Sequence, residues 1–231
     1  GWFGWEANFW FIGGLGFFIL LIAYFDLGET VPENTQGFRQ QFSEYPELLL
    51  SRRFWGYCLA SAFGAGAFFA YLGGGPFVGS IVYNLSPEML GLYFGAPAIG
   101  YFFGNFLSGR FTILFGIDAM ILWGLWIIFS GLSLSMVCSY VGYGTVETFF
   151  GFMIFVGLGN GLTIPNATAG MLSVRPHLAG TASGLGGAMM IAIGAALSTL
   201  AGAFLIPGSN EMPLLMLMWF SSLSGVAVII Y

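Results

Sequence analysis

Apolar positions along the chain gather into seven long stretches, roughly 8–27, 54–77, 89–109, 119–139, 148–172, 180–205 and 212–231. Each is close to the ~20 residues that a helix needs to cross the hydrocarbon core of a bilayer. They are apolar on all faces, without strict alternation, which predicts membrane helices and not the strands of an outer-membrane barrel. The joints carry breakers. Ser86-Pro87-Glu88 supplies an N-cap, a proline for the first helical position and an acid for the first turn. Arg175-Pro176-His177 and Pro207-Gly208-Ser209-Asn210 separate neighbouring spans. The stretch 28–53 is the longest polar segment. Phe38, Phe42, Tyr45 and Leu49 recur in it at helical spacing, which predicts a partly interfacial helix. Trp55 and Tyr57 mark where the next span enters the lipid interface. The chain is thus expected to be one span (1–27), a connector (28–53) and a compact six-span set (54–231).

Composition narrows the class further. Asp, Glu, Lys and Arg number 15 of 231 residues, or 6%, where a soluble domain carries about a quarter. That excludes a soluble globular protein and a disordered tail. Five Arg, no Lys and a pI near 4.6 exclude a nucleic-acid binder. The 37 Gly suit packed membrane helices, where small residues let backbones approach. Cys58 and Cys138 lie inside apolar stretches and read as small hydrophobes. The chain opens on Gly1 without a basic signal-peptide region and closes on Ile229-Ile230-Tyr231, so it is expected to be a piece of a longer membrane protein. All five basic residues, Arg39, Arg52, Arg53, Arg110 and Arg175, fall in alternate loops. The positive-inside rule then places the chain's N-terminus outside and its C-terminus in the cytoplasm. Seven of the 15 charges lie in the connector, which becomes cytoplasmic.

Small residues form ridges within the spans. Gly180, Gly184, Ala188, Ala192 and Ala196 repeat every four residues; Gly100, Gly104 and Ser108 do the same, as do Gly157 and Gly161. Such ridges serve either static helix packing or the tilting contacts of a conformational cycle. The segment 157–168 carries the most chemistry. Pro165 cannot donate to the helix ladder and frees the carbonyl of Gly161, while Asn160, Thr163 and Asn166 place polar groups at mid-depth. A broken, polar, glycine-rich helix in the membrane suits a transporter's binding site or hinge; it equally suits a kink whose polar groups tie helices together. Tyr101 and Asn105 lie one turn apart below an expected kink at Pro97, and Tyr71 stands between Phe68-Phe69 and the Gly73-Gly74-Gly75-Pro76 breaker. Tyr71, Tyr101, Asn160 and Asn166 are therefore the expected substrate-binding residues, and Gly161, Pro165, Pro97, Gly180 and Gly184 the expected kink and gating positions. No span carries an ionisable residue near its centre, so proton-coupling groups are not encoded here. No nucleophile–His–acid set and no metal-ligand cluster is visible, so neither an enzyme nor a cofactor or metal site is expected.

The connector and the six-span set resemble the major facilitator superfamily, in particular the bacterial drug:proton antiporters of the bicyclomycin and chloramphenicol resistance type. Leu27-Gly28-Glu29-Thr30 is similar to the Leu-Pro-Glu-Thr that ends span six in that family, with Gly28 replacing Pro. Arg53-Phe54-Trp55-Gly56-Tyr57 resembles the approach to span seven, and Phe69-Ala70-Tyr71-Leu72 with Gly75-Pro76-Phe77-Val78 its outer half. Pro165-Asn166-Ala167-Thr168-Ala169 is similar to the span-ten motif, and Ala179-Gly180-Thr181-Ala182-Ser183-Gly184 to the opening of span eleven. The family's charged loop between spans eight and nine is reduced here to its glycines and Arg110. The resemblance implies an all-α integral membrane fold: span six plus the C-terminal six-helix bundle of a twelve-span transporter. It also implies multidrug efflux by proton antiport across the inner membrane, with protons and a bulky, partly apolar small molecule as partners. The coupling carboxylates would lie in the absent N-terminal half. A seven-span receptor, and an exporter of a sugar or other metabolite, remain open at this point.

Overall fold

The computed structural model describes residues 4, 6–26 and 45–230, which divide into two compact units, 1–42 and 43–231. The expected interfacial helix at Phe38 and Phe42 lies outside the described residues; 45–49 is helical. The first unit holds α1 (Glu6–Asp26), 21 residues without an internal proline or charge and about 30 Å long at the rise of an α-helix.

The second unit is helical throughout its described elements, and local chemistry fixes most of the ends. α2 (Arg52–Phe77) starts on Ser51, whose hydroxyl accepts from the Phe54 N–H, and runs into a π-helical turn at Val78–Val82. α3 (Pro87–Phe94) has the cap expected of Ser86. α4 (Ala96–Phe115) and α5 (Ile117–Tyr140) meet at Gly116, which takes a φ of 82° that other residues rarely adopt. α6 (Val146–Val174) opens on a reciprocal Thr145–Thr148 cap. A 3₁₀ turn at Pro176–Leu178 leads into α7 (Ala179–Phe204), and α8 (Met212–Ile230) follows.

Two expectations change. The stretch 89–109 is not one continuous helix but parts of α3 and α4. Pro97 lacks the N–H that would bond the Tyr93 carbonyl; that carbonyl instead receives the N–H of Gly95, where the chain breaks. Pro97 therefore stands in the first turn of a new helix and not at a kink within one. Conversely, α6 runs unbroken through Pro165 for 29 residues, although an interruption was expected there. Among the described residues six helices are long and apolar enough to cross a membrane: Glu6–Asp26, Arg52–Val82, Ile117–Tyr140, Val146–Val174, Pro176–Phe204 and Met212–Ile230. The 20-residue α4, which carries Asn105, Ser108 and Arg110, is not among them.

The packing of the second unit has an internal symmetry. α2 and α6 lie against each other at the centre; α2 also packs on α7 and α8, α6 on α4 and α5, and α5 meets α8. With α2, α4 and α5 taken as one set and α6, α7 and α8 as the other, the first helix of each sits against the second and third of the other, the pattern of two related repeats exchanged about a common axis. Glycines decide the distance between α4 and α6. A Cβ on Gly157 would run into the Pro97 carbonyl oxygen, and one on Gly100 into that of Ile154. Two of the predicted ridges therefore face each other, backbone against backbone. The ridge at Gly180 and Gly184 is different: a Cβ there meets nothing within 4 Å.

Polar side chains inside the bundle tie helices together. Trp219 Nε1 donates to Ser133 Oγ (2.9 Å), and Ser221 Oγ to the Phe63 carbonyl (2.7 Å). Charges gather at the ends. Where α2 and α5 begin, the Tyr57 hydroxyl donates to Asp118 Oδ1 (2.7 Å), and Arg175 pairs with Glu47 (2.6 Å). At the opposite end, the buried Glu211 accepts from Ser139.

Candidate functional site

A cavity of about 450 Å³ opens between four helices of the second unit and the end of α3. Ala65, Phe68, Phe69 and Leu72 from α2 form one wall. Phe94, Gly95, Pro97, Ala98 and Tyr101 contribute from the α3–α4 break, Gly157, Asn160 and Ile164 from α6, and Met190 from α7. The α3–α4 break borders the site: Gly95 caps α3, and Pro97 stands in the first turn of α4 with its carbonyl against Gly157. Among the described residues no charged side chain lines the cavity, and its polar side chains are those of Tyr101 and Asn160. Two larger grooves exist. One is lined by Arg52, Arg53, Asp118 and the end of α8, and the other, between α4 and α5, mainly by Phe, Trp and Leu side chains. Neither holds a residue expected to bind substrate.

The two asparagines of α6 have opposite environments. Asn166 is fully engaged: Nδ2 donates to Ser108 Oγ (2.8 Å) and to the Leu162 carbonyl (2.7 Å), and Oδ1 accepts from Thr112 Oγ1 (2.9 Å). It fastens α6 to α4 and does not line the cavity. Asn160, only 3% exposed, lines the cavity, and its Oδ1 is buried with no hydrogen-bond partner among the described residues. The oxygen lies beside Gly64 of α2, where a Cβ would stand 3.2 Å from it. A buried acceptor without a donor carries a desolvation cost of about 1–3 kcal/mol, so this one is an exception that requires a reason.

The other predicted positions separate in the same way. Tyr101 is partly exposed and lines the cavity with Asn160. Tyr71 is fully buried behind it: its ring stacks on Phe94 at 4.7 Å and its hydroxyl donates to the Phe94 carbonyl (3.0 Å). Tyr71 thereby fixes Phe94, which is itself a wall. Pro97 lines the cavity; Gly161 belongs to the α4–α6 contact; Pro165 is outside both; Gly180 and Gly184 lie on the exposed face of α7. Sequence reasoning missed Phe94, Ala98 and Met190. The Gly95-Ala96-Pro97 run was the available signal for the first two, since a break there turns both toward the same opening. Outside the spans, Glu88 at the start of α3 is held below the usual carboxylate value by its own backbone N–H and the Ser86 hydroxyl.

The description Major Facilitator Superfamily belongs to the family model that matches residues 1–199. The chain is similar to a bicyclomycin resistance protein homolog of Haemophilus influenzae, with 29% identity over 209 residues, 86% of this chain and 50% of that protein. It is also similar to an uncharacterized MFS-type transporter of Bacillus subtilis, YdgK, with 27% identity over 227 residues, 96% of this chain and 55% of that protein. The chain spans about half the length of the curated relatives it matches.

Proposed function

The chain belongs to the major facilitator superfamily of membrane transporters, and on that premise we propose that it forms the C-terminal half of a secondary transporter that exports bulky, partly apolar compounds in exchange for protons. Membership in this family also favours a transporter over a seven-span receptor. The observation that carries the reading is the cavity beside Asn160: aromatic walls, a hydroxyl at Tyr101 and a buried amide oxygen that the protein leaves unpaired. Such a mixture suits a mostly apolar solute with a few polar groups. Tyr101 and Asn160 contact the solute, Tyr71 holds the Phe94 wall, and Asn166 keeps α4 and α6 together. The open ridge at Gly180 and Gly184 bears on the other half as the two rock. Among the described residues no acid lines the cavity, and the reading assigns the carboxylates that couple protons to the other half. The protein sits in the inner membrane with the connector facing the cytoplasm, as its arginines suggest.

The name of the Haemophilus influenzae relative makes bicyclomycin the first compound to test. In everted membrane vesicles containing the full-length protein, an imposed pH gradient should drive bicyclomycin uptake. Asn160→Leu and Ala98→Trp should each reduce that uptake. Uptake indifferent to the gradient removes the antiport reading, and uptake indifferent to both substitutions removes the assignment of the cavity.

A further inference from the structure

The inference concerns what the solute must carry, and it rests on the reading that the cavity beside Asn160 holds that solute. Phe68, Phe69, Phe94 and Tyr101 give the cavity aromatic walls, and no charged side chain lines it. Recognition there depends on ring contact and hydrogen bonding and not on charge. The buried Oδ1 of Asn160 has no donor among the described residues. Its neighbour across the helix crossing is Gly64, which has no side chain to offer; a Cβ built there would meet the Asn160 oxygen, Leu125 and the Thr163 methyl together. Six residues on, Asn166 shows how this sequence satisfies an amide that serves only packing: two donations and one acceptance, all within the protein. The torsion that orients an asparagine amide is broad and roughly two-fold. A half-turn about it exchanges the two ends of the amide without moving the helix, bringing the oxygen round while Nδ2 takes its place beside Gly64.

We propose that Asn160 Oδ1 accepts a hydrogen bond from an N–H or O–H on the solute's ring system. This half of the transporter thereby selects aromatic compounds that keep a free donor over congeners in which the donor is alkylated. A donor on the solute would supply the hydrogen bond that none of the described residues gives this oxygen.

The test uses 2-naphthol and 2-methoxynaphthalene, the same rings with and without an O–H, in equilibrium dialysis against the purified full-length protein. The wild type should hold 2-naphthol roughly tenfold more tightly, the size of one well-formed hydrogen bond. Asn160→Leu should bind both probes alike, at the methoxy level. Asn160→Ala should do the same, and stands in if the leucine variant does not fold. Ala98→Trp, on an exposed part of the cavity wall, should abolish binding of both. A wild type that binds the two alike, or a leucine variant that still prefers 2-naphthol, overturns the donor proposal; loss of both probes from Ala98→Trp then leaves the cavity reading standing. Probes that still bind the Ala98→Trp variant overturn the cavity reading, and the donor proposal with it.

Discussion

Truncating each asparagine of α6 to alanine separates a structural amide from a poised one. Asn166→Ala removes three hydrogen bonds, of which those to Ser108 and Thr112 reach α4 and the third returns to Leu162 of its own helix. Hydrogen bonds between membrane helices average about 0.6 kcal/mol, so the two that cross to α4 are worth about 1.2 kcal/mol together. The single Thr112 hydroxyl proton, shared between Asn166 Oδ1 and the Ser108 carbonyl (2.6 Å), can pass wholly to that carbonyl, which limits the penalty of orphaned partners. Lost packing at a position only 2% exposed brings the total to about 1–2 kcal/mol. Asn160→Ala breaks no hydrogen bond to Oδ1 and removes an acceptor that is costly to bury, while the side chain already borders an opening. Its stability should be unchanged or higher by up to about 1 kcal/mol. Denaturant titration of both variants of the full-length protein in detergent measures the difference. Equal losses, or a larger loss at Asn160, would refute the distinction between the two residues.

Glycine tolerance should follow backbone approach. Gly157→Ala should collapse the yield of folded protein, because its Cβ runs into the Pro97 carbonyl, whereas Gly184→Ala should fold normally; size-exclusion profiles compare them. Cys58 is fully buried and Cys138, near the end of α5, is partly exposed. A membrane-impermeant maleimide should therefore label Cys138 from the face opposite the arginines and leave Cys58 unmodified, read by mass spectrometry. Glu88 has a folded-state pKa below its ordinary value of 4.5, so its stabilising contribution is present above that value and disappears as pH falls through the folded pKa. Glu88→Gln should lower the thermal midpoint at neutral pH, and the difference should vanish in strong acid.

Much of the fold was legible because the lipid-facing architecture depends on properties that sequence displays directly: apolar runs of membrane length, and breakers such as Ser86-Pro87 and Arg175-Pro176. Two prolines show where that stops. Pro97 and Pro165 carry the same backbone defect, yet one ends a helix beside Gly95 and the other rides inside α6; neighbouring helices decide which. The small-residue ridges were visible too, but not that Gly157 and Gly161 face Gly100 and Gly104 while Gly184 faces open space. The site was half legible for the same reason. Asn160 and Asn166 are one residue type on one helix. Ser108 and Thr112 oppose Asn166 and bare Gly64 opposes Asn160 only because of the register between α6 and its neighbours, which no local pattern encodes.

Placing a thiol at Asn160 tests the central claim most directly. In an otherwise cysteine-free full-length protein, Asn160→Cys should react with a small hydrophilic thiol reagent, and saturating bicyclomycin should slow that reaction at least several-fold, while Asn166→Cys stays unreactive. A thiol at Asn160 that never reacts, or reacts at the same rate with and without the compound, would contradict a solute site in this cavity.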